Sequence, residues 1–367
     1  MIGSKRGLKF QFFLKYQDFG IGNYSRKANN YYLRKPSMNK KRRLSSKEYI
    51  NGIQKGDRVI LSRAITLIES AKKEDLVLAE EILSELLPQT GKSIRIGITG
   101  VPGVGKSTFI EAFGSYITSQ GKKLAVLTVD PSSLITKGSI LGDKTRMEEL
   151  SRNPDAFIRP SAAGGTLGGV TNKTREVILL CEAAGYDVVF VETVGVGQSE
   201  TQVKGMVDFF LLLMLAGAGD ELQGIKKGIM EMADGVAINK ADGDNLKVSK
   251  IAKMDYQNAL HLFPASESGW IPEVKTCSAL KEIGIEDIWE MIEKHNRHAV
   301  GNGFFESNRK KQQVDWVHEH VVELLKQGFY QSKKVKIALP SVLGKVASGD
   351  LPALNAANQL IDLLNNK

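Results

Sequence analysis

The segment that decides the fold is Gly100-Val101-Pro102-Gly103-Val104-Gly105-Lys106-Ser107, which fits the pattern G-x-x-x-x-G-K-[ST] at every fixed position. The largely apolar residues 94–99 lead directly into it. Glycines let successive backbone N–H groups point at one anion, and the helix expected to begin near Lys106 adds its positive end. The sequence therefore predicts a strand, a phosphate-binding loop and a helix, the core unit of a P-loop nucleotide-binding fold.

The polar residues of this loop have separate predicted roles. Lys106 can reach the β- and γ-phosphates and stabilise a phosphoryl group in transfer. The Ser107 hydroxyl can bind Mg²⁺, and Thr108 is placed to contact the α-phosphate. The predicted nucleotide-binding residues of the loop are Gly100, Val101, Pro102, Gly103, Val104, Gly105, Lys106, Ser107 and Thr108.

A second motif indicates which base is bound. Residues 235–238 read as a short strand that ends in Asn239-Lys240-Ala241-Asp242, the N-K-x-D pattern by which GTPases recognise guanine. A carboxylate at Asp242 can accept from both N1–H and the exocyclic amine of guanine, whereas adenine offers no such donor pair. Asn239, Lys240 and Asp242 are therefore predicted to bind the nucleotide, and GTP is favoured over ATP.

A further base contact is predicted in Thr276-Cys277-Ser278-Ala279-Leu280. This segment resembles the Ser-Ala segment whose backbone N–H meets the guanine oxygen in GTPases. Ser278, Ala279 and Leu280 are the candidates. An ordinary strand end is the alternative interpretation.

A carboxylate after a predicted strand is a candidate for holding metal or water. Residues 188–191 are apolar, and Glu192 follows the last buried position, where it can hold the water shell of Mg²⁺ or orient the attacking water. Gly195 fits the place where a backbone N–H contacts the γ-phosphate. A carboxylate at a strand end can also be a helix cap, so that alternative stays open for Glu192.

Two more carboxylates lie close together in the sequence. Residues 124–129 form another predicted strand that leads to Asp130, and Asp143 follows in a glycine-bounded loop. Arg146 can approach the site if that loop closes, and otherwise is a surface charge. The predicted catalytic residues are Lys106, Asp130, Asp143 and Glu192. The predicted metal ligands are Ser107, Asp130, Asp143 and Glu192.

Five longer segments resemble one family, the methylmalonyl-CoA mutase-associated GTPases. They are DPSS at 130–133, GSILGD at 138–143, GTLGGV at 165–170, ETVGVGQSE at 192–200 and GAGDELQGIK at 217–226. The resemblance runs from about Leu61 to the carboxyl terminus. It implies a homodimeric GTPase that docks on a cobalamin-dependent acyl-CoA mutase, with methylmalonyl-CoA mutase as the first candidate. Such a protein gates adenosylcobalamin delivery and protects the mutase.

The resemblance also assigns three switch segments. By position, Asp130, Asp143 and Arg146 belong to the first switch, residues 192–200 to the second and residues 215–226 to the third. Three alternatives stay open: a P-loop kinase, a nickel-insertion metallochaperone GTPase, and a GTP-dependent binding module in which hydrolysis is incidental. N-K-x-D argues against the kinase, and the sequence has neither the His-rich tract nor the paired cysteines of the metallochaperone.

The fold expected is α/β, a P-loop NTPase with a mainly parallel sheet, helices on both faces, and helical amino- and carboxyl-terminal extensions. We divide the chain into a basic leader (1–44), a helical segment (45–92), a GTPase core (93–300) and a carboxyl-terminal extension that contributes to the dimer or packs on its own subunit (301–367). Helical periodicity predicts a helix pair over residues 56–88 and helices over 285–294 and 312–328. The tail after residue 335 is not expected to form a core alone.

Charge is concentrated at the amino terminus. Residues 1–44 carry twelve Lys and Arg against Asp18, while the rest of the chain is close to neutral, so neither nucleic-acid nor membrane binding is expected of the folded part. The leader resembles a mitochondrial transit peptide, sequence upstream of a start at Met38, or a solvated tail. We expect the Met38 start and a cytoplasmic protein, or a matrix protein if the leader is a transit peptide.

The remaining composition excludes several kinds of site. The two cysteines, Cys181 and Cys277, lie far apart, which argues against a disulfide scaffold or a zinc site. His295 and His298 are interpreted as surface polar residues rather than a ligand pair. The longest apolar run, residues 209–218, is too short to cross a membrane and is predicted to be a buried parallel strand.

Overall fold

The computed structural model describes residues 43–70, 72–129, 147–161, 169–193, 199–217, 227–264 and 266–365. Four of the predicted functional residues lie outside these ranges: Asp130, Asp143, Arg146 and Gly195. The same is true of residues 1–42 of the predicted leader and of most of the predicted third switch, residues 218–226.

Seven parallel strands form one sheet in the order β3-β2-β4-β1-β5-β6-β7. The strands are β1 (Ile94–Gly100), β2 (Leu124–Val129), β3 (Ala156–Ser161), β4 (Val188–Thr193), β5 (Phe209–Leu215), β6 (Gly235–Asn239) and β7 (Glu273–Thr276). The predicted parallel sheet is confirmed, including the apolar run that becomes β5. Because β1 lies between β4 and β5 at the centre, the loop that follows it opens at the middle of the carboxyl edge, where doubly wound sheets bind ligands.

Thirteen α-helices occur within the described residues. Those before and within the sheet are α1 (Ser46–Gln54), α2 (Arg58–Ile68), α3 (Lys73–Leu86), α4 (Lys106–Ser119), α5 (Glu148–Arg152), α6 (Gly169–Ala183), α7 (Ser199–Lys204), α8 (Lys227–Met232) and α9 (Asn245–Leu260). Those after it are α10 (Ile285–Gly301), α11 (Phe304–Gln331), α12 (Lys333–Ala347) and α13 (Ala353–Asn365).

Alternate residues of β2, β3 and β4 face two separate cores. On β4, Val188 and Phe190 pack into the core beneath α4 and α10, while Val189 and Val191 pack into the core beneath α2, α3 and α6. Phe113 of α4 stacks on Phe190 with ring centroids 5.1 Å apart. Helices therefore cover both faces of the sheet, as predicted, and these three strands are apolar on both sides, as is typical of buried parallel strands.

The amino-terminal extension is larger than the predicted pair. α2 and α3 confirm the pair, and α1 precedes them. The sequence signal for α1 is a capping box, in which the Glu48 N–H donates to Ser45 Oγ at 3.3 Å and the Ser45 N–H donates to Glu48 Oε2 at 2.8 Å.

The carboxyl-terminal helices are longer than periodicity predicted, since α10 runs to Gly301 and α11 begins at Phe304. The tail forms α12 and α13, and its cluster of buried residues is small: Val342, Ala356 and Leu360. One interpretation was wrong. His295 is only 3% exposed and lies edge-on to Phe209 and Trp270, with ring centroids 5.0 and 5.2 Å away.

Candidate nucleotide-binding site

The phosphate loop joins β1 to α4 and depends on its glycines. A Cβ on Gly100 would lie 2.6 Å from the Leu213 carbonyl oxygen, so only glycine fits between β1 and β5 at that point. Gly103 and Gly105 have φ values of +77° and +88°, which side-chain-bearing residues rarely adopt. The motif therefore needs glycine at Gly100 because β5 approaches closely there, and at Gly105 because the backbone has a positive φ.

Lys106 folds back over this loop. It is the first residue of α4, and its Nζ donates to the Gly100 carbonyl oxygen at 3.0 Å. Burial lowers the pKa of Lys106, and the charges of Glu192 and Glu200 act in the opposite direction. The ammonium therefore lies inside the concave loop, where a phosphate chain would meet it. Ser107 is half-buried beside it, and Thr108 is exposed.

Two buried carboxylates lie within electrostatic reach of Lys106. Glu192 is 5% exposed near the end of β4, where it is in register with Ile98 of β1, and Glu200 is 1% exposed in the first turn of α7. Mg²⁺ in phosphoryl-transfer sites is bound by carboxylates together with substrate phosphates, so these two side chains are of the type that suits a divalent cation. Sequence reasoning placed Glu200 only within a switch segment and missed it as an individual residue.

Below the loop, two threonines join the ends of β1 and β4. The Thr193 hydroxyl donates to Thr99 Oγ1 at 2.8 Å, and both residues are buried. Thr99 precedes Gly100, and Thr193 follows Glu192. The strand end that carries the acidic residue is therefore fixed to the strand end that carries the phosphate loop.

The N-K-x-D residues lie directly beside the phosphate loop. The Asn239 side-chain amide donates to the Val104 carbonyl oxygen at 2.8 Å, and its oxygen accepts from the Ala279 N–H at 3.0 Å. Lys240 has a positive φ of 59°, and its Nζ donates to the Gly103 carbonyl oxygen at 2.9 Å. Asn239 thus ties together the phosphate loop and the segment predicted to contact the base.

The predicted guanine contacts lie together at the carboxyl ends of β6 and β7. The Ser278 hydroxyl donates to the Asp242 carboxylate and accepts from the Lys281 N–H at 3.2 Å. Ser278 is fully buried, whereas Leu280 is 76% exposed. Ser278 therefore holds Asp242 in position through a side-chain contact that the backbone role predicted for this segment did not include.

Two negative findings apply to the described part of the chain. In those ranges, no three His, Cys, Asp or Glu residues cluster closely enough to bind a metal ion by themselves. Mg²⁺ in phosphoryl-transfer sites commonly takes one or two carboxylates together with substrate phosphates, so this finding agrees with the small donor set here. None of the helices in the described ranges is long and apolar enough to cross a membrane.

Comparison with known proteins identifies related chains. Residues 61–334 match the family model described as "Methylmalonyl Co-A mutase-associated GTPase MeaB". A Caulobacter vibrioides protein named "Putative GTPase" is 51% identical over 306 residues, covering 83% of this chain and 94% of that protein. The mouse protein named "Methylmalonic aciduria type A homolog, mitochondrial" is 43% identical over 326 residues, covering 86% and 79%.

A solved structure has the same fold. The crystal structure titled "LAO/AO transport system kinase" superposes with a TM-score of 0.68 at 38% identity, covering 88% of this chain and 98% of that one. The common architecture therefore includes most of the helical extensions as well as the sheet.

Proposed function

Because the chain belongs to the family of methylmalonyl-CoA mutase-associated GTPases, we propose that this GTP hydrolase is a chaperone for a cobalamin-dependent acyl-CoA mutase. In this role it gates delivery of adenosylcobalamin and protects the mutase from inactivation, with methylmalonyl-CoA mutase as the first candidate. Family membership is the observation that carries the mutase partner, and the bond from Asn239 to Val104, which joins the predicted guanine-recognition motif to the phosphate loop, supports the nucleotide site.

Hydrolysis needs positioning and charge neutralisation rather than covalent chemistry. The loop N–H groups and Lys106 bind the phosphates, and Lys106 stabilises charge that develops in transfer. Glu192 orients the attacking water or the metal's water shell. Mg²⁺, when bound by Ser107 and an acidic residue, would supply further neutralisation of phosphate charge. Asp130 and Asp143 remain predicted contributors from outside the described residues.

Base selection rests on Asp242. Ser278 donates to this carboxylate and so holds it at the point where the N1–H and amine of guanine would donate. Adenine would present an acceptor at N1, leaving the carboxylate unpaired, and rejection through unpaired polar groups is strong. Selectivity for GTP over ATP follows.

We also propose a homodimer built on α11. Val314, Val317, Val321 and Leu324 follow the alternating three- and four-residue spacing of a helix-pairing seam, and they are 57%, 60%, 48% and 64% exposed. The described part of the chain leaves this seam uncovered. A second copy presents the same stripe, and a seam of this period packs best against a helix of equal period.

The dimer proposal has a direct test. Sedimentation of the wild-type chain should give twice the monomer mass, and Val317→Asp should give the monomer while GTP turnover by each chain persists. Glu323→Asp, on the same helix but off the seam, is the control and should stay dimeric. A monomeric wild-type chain would contradict the proposal.

The proposed function is tested by hydrolysis assays with and without a partner. Turnover of GTP and ATP is measured for the chain alone and with the methylmalonyl-CoA mutase of the same organism. GTP-selective turnover that rises with the mutase supports the chaperone. GTP turnover that does not change with the mutase would contradict the proposed partner. A preference for ATP would favour the kinase alternative. The cytoplasmic location stays a prediction, since the mouse relative is named mitochondrial.

A further inference from the structure

The fully buried side chains of α11 are polar. Of its 28 residues, Arg309 and Gln312 are the buried ones. A helix held by apolar area resists displacement in proportion to the area lost, whereas directional hydrogen bonds define discrete positions. The position of α11 is therefore set by a few identifiable bonds.

Arg309 supplies the first set of bonds. Its Nε and Nη2 donate to the two carboxylate oxygens of Asp208 at 2.6 Å each, and Nη2 also donates to the Ser93 carbonyl oxygen at 2.9 Å. Burial disfavours the charged guanidinium, but the Asp208 and Glu182 carboxylates outweigh burial and raise the pKa of Arg309. Arg309 anchors α11 at the amino edge of the sheet.

Gln312 supplies the second bond, and its partner, Val207, lies between α7 and β5. Its amide donates to the Val207 carbonyl oxygen at 2.9 Å. Arg175 of α6 donates to the Gly205 carbonyl oxygen at 3.3 Å and to Glu319 of α11 at 3.2 Å. Residues 205–208, the segment between α7 and β5 that we call the connector, are therefore bonded to α11 directly and through Arg175.

The connector leads to the nucleotide site by two routes. It continues from α7, which carries the buried Glu200 whose charge acts on Lys106. It also packs against the strand that leads into the phosphate loop, since a Cβ on Gly97 of β1 would lie 3.1 Å from a Val207 methyl, and 2.9 Å from a methyl of Val203 in α7. With so little free space, a displaced connector must displace either α7 or β1.

We infer that Gln312 is a positioning residue for GTP hydrolysis, which couples the carboxyl-terminal helix α11 through the connector and α7 to the phosphate site. Its bond to Val207 holds the connector, and with it the Val203 and Val207 side chains packed against Gly97 of β1, the strand that leads into the phosphate loop. By reciprocity, a nucleotide state that moves α7 changes the environment of α11. This inference rests on the GTP-hydrolysing site proposed above and not on the proposed mutase partner.

The first test compares two equal substitutions on one helix. Gln312→Met keeps length and removes the donor, and Gln313→Met makes the same change at the exposed next residue. Gln312→Met should lower kcat for GTP about fivefold with KM changed less than about twofold, within the range seen for coupling residues, while Gln313→Met leaves both unchanged. Equal kcat in the two variants, or a loss confined to KM, would overturn the inference.

The second test needs no change at Gln312. Trp316 lies one turn further along α11, with its ring 6.0 Å from the Arg175 guanidinium carbon. Its fluorescence in the full chain should differ between GDP and a non-hydrolysable GTP analogue, and Trp316→Phe should remove that difference. A signal that is the same in both nucleotide states refutes the coupling even if the mutase proposal holds. Loss of mutase binding with the signal intact would refute only the proposed partner.

Discussion

The two edges of the sheet are built by different means. At the carboxyl edge, the phosphate loop uses glycines, backbone groups and Asn239, and most of its bonds join residues of short sequence motifs. At the amino edge, buried ion pairs join the strands and helices. Arg95 binds Glu182 through two bonds of 2.8 Å, Arg309 binds Asp208, and the Ser93 hydroxyl donates to Glu182 at 2.6 Å.

The two edges therefore have different roles in the molecule. The carboxyl edge presents donors to a ligand, while the amino edge satisfies its charges internally and attaches α11. A buried ion pair contributes little net stability relative to apolar packing, but removal of one partner is costly because the other charge remains buried. Substitutions at the amino edge should therefore mainly lower stability, and substitutions at the carboxyl edge should mainly lower activity.

The largest expected effect is at the amino edge. Arg309→Met would leave the Asp208 carboxylate buried without its partner and should lower the free energy of unfolding by about 3–5 kcal/mol. Urea unfolding followed by circular dichroism measures this. Lys310→Met, at the exposed neighbouring position, is the matched control and should change stability by less than about 0.5 kcal/mol. Equal stability of the two variants would show that the ion pairs do not hold α11.

The next effect is on activity at the carboxyl edge. Lys106→Ala removes the ammonium from the phosphate cradle and should lower kcat for GTP about 100- to 1000-fold, the range for loss of one charge-stabilising donor. Thermal unfolding should stay close to that of the wild type. Lys253→Ala, on the exposed side of α9, serves as the control. A loss of less than about tenfold would remove Lys106 from its catalytic role.

A smaller effect is expected on base choice. Asp242→Asn replaces an acceptor by an amide that can also donate, and should weaken GTP binding about 100-fold, since the guanine donors lose a charged acceptor. The same substitution should weaken the binding of xanthosine triphosphate less, because this nucleotide has a carbonyl in place of the guanine amine. Titration with fluorescent nucleotides measures both. Equal weakening of the two nucleotides would mean that Asp242 supports the loop rather than reading the base.

The smallest expected effect is a pH dependence of stability, which arises where α6 contacts α11. Burial, opposed by Lys173, raises the pKa of Glu176 to about 7, and His320 of α11 lies 4.0 Å from it. A carboxyl with a raised folded-state pKa contributes stability below its unfolded pKa, and this contribution is lost as pH rises towards 7. Glu176→Gln should therefore be neutral near pH 4.5 and stabilising on the order of 2 kcal/mol at pH 8.

Urea midpoints at the two pH values check this prediction. Glu85→Gln, an exposed position on α3, is the control and should show no such difference. Stabilisation of Glu176→Gln that is equal at both pH values would assign the effect to packing rather than to titration.

The sequence predicted the carboxyl edge because its information is local. The loop at residues 100–107 and the motif at 239–242 are each contiguous, so pattern and chemistry could be combined without knowing the fold. The structure then brought the two motifs within hydrogen-bond distance, since β1 and β6 end at the same edge of the sheet with β5 between them.

The amino edge was not predictable by the same reasoning. Arg309 and its partner Asp208 are 101 residues apart, and neither lies in a recognisable motif. Glu200 was recognised only as part of a switch, because its burial beside Lys106 depends on how α7 packs. Periodicity also missed the first two turns of α11, before Gln312, where the one fully buried residue is Arg309.

The most direct test of the central claim follows adenosylcobalamin loading onto the mutase by its absorbance, with the chain present in GDP or in a non-hydrolysable GTP analogue. The account predicts that the two nucleotide states give different amounts or rates of loading, and that Lys106→Ala reduces the difference. Loading that is the same in both states, and the same without the chain, would contradict the chaperone function.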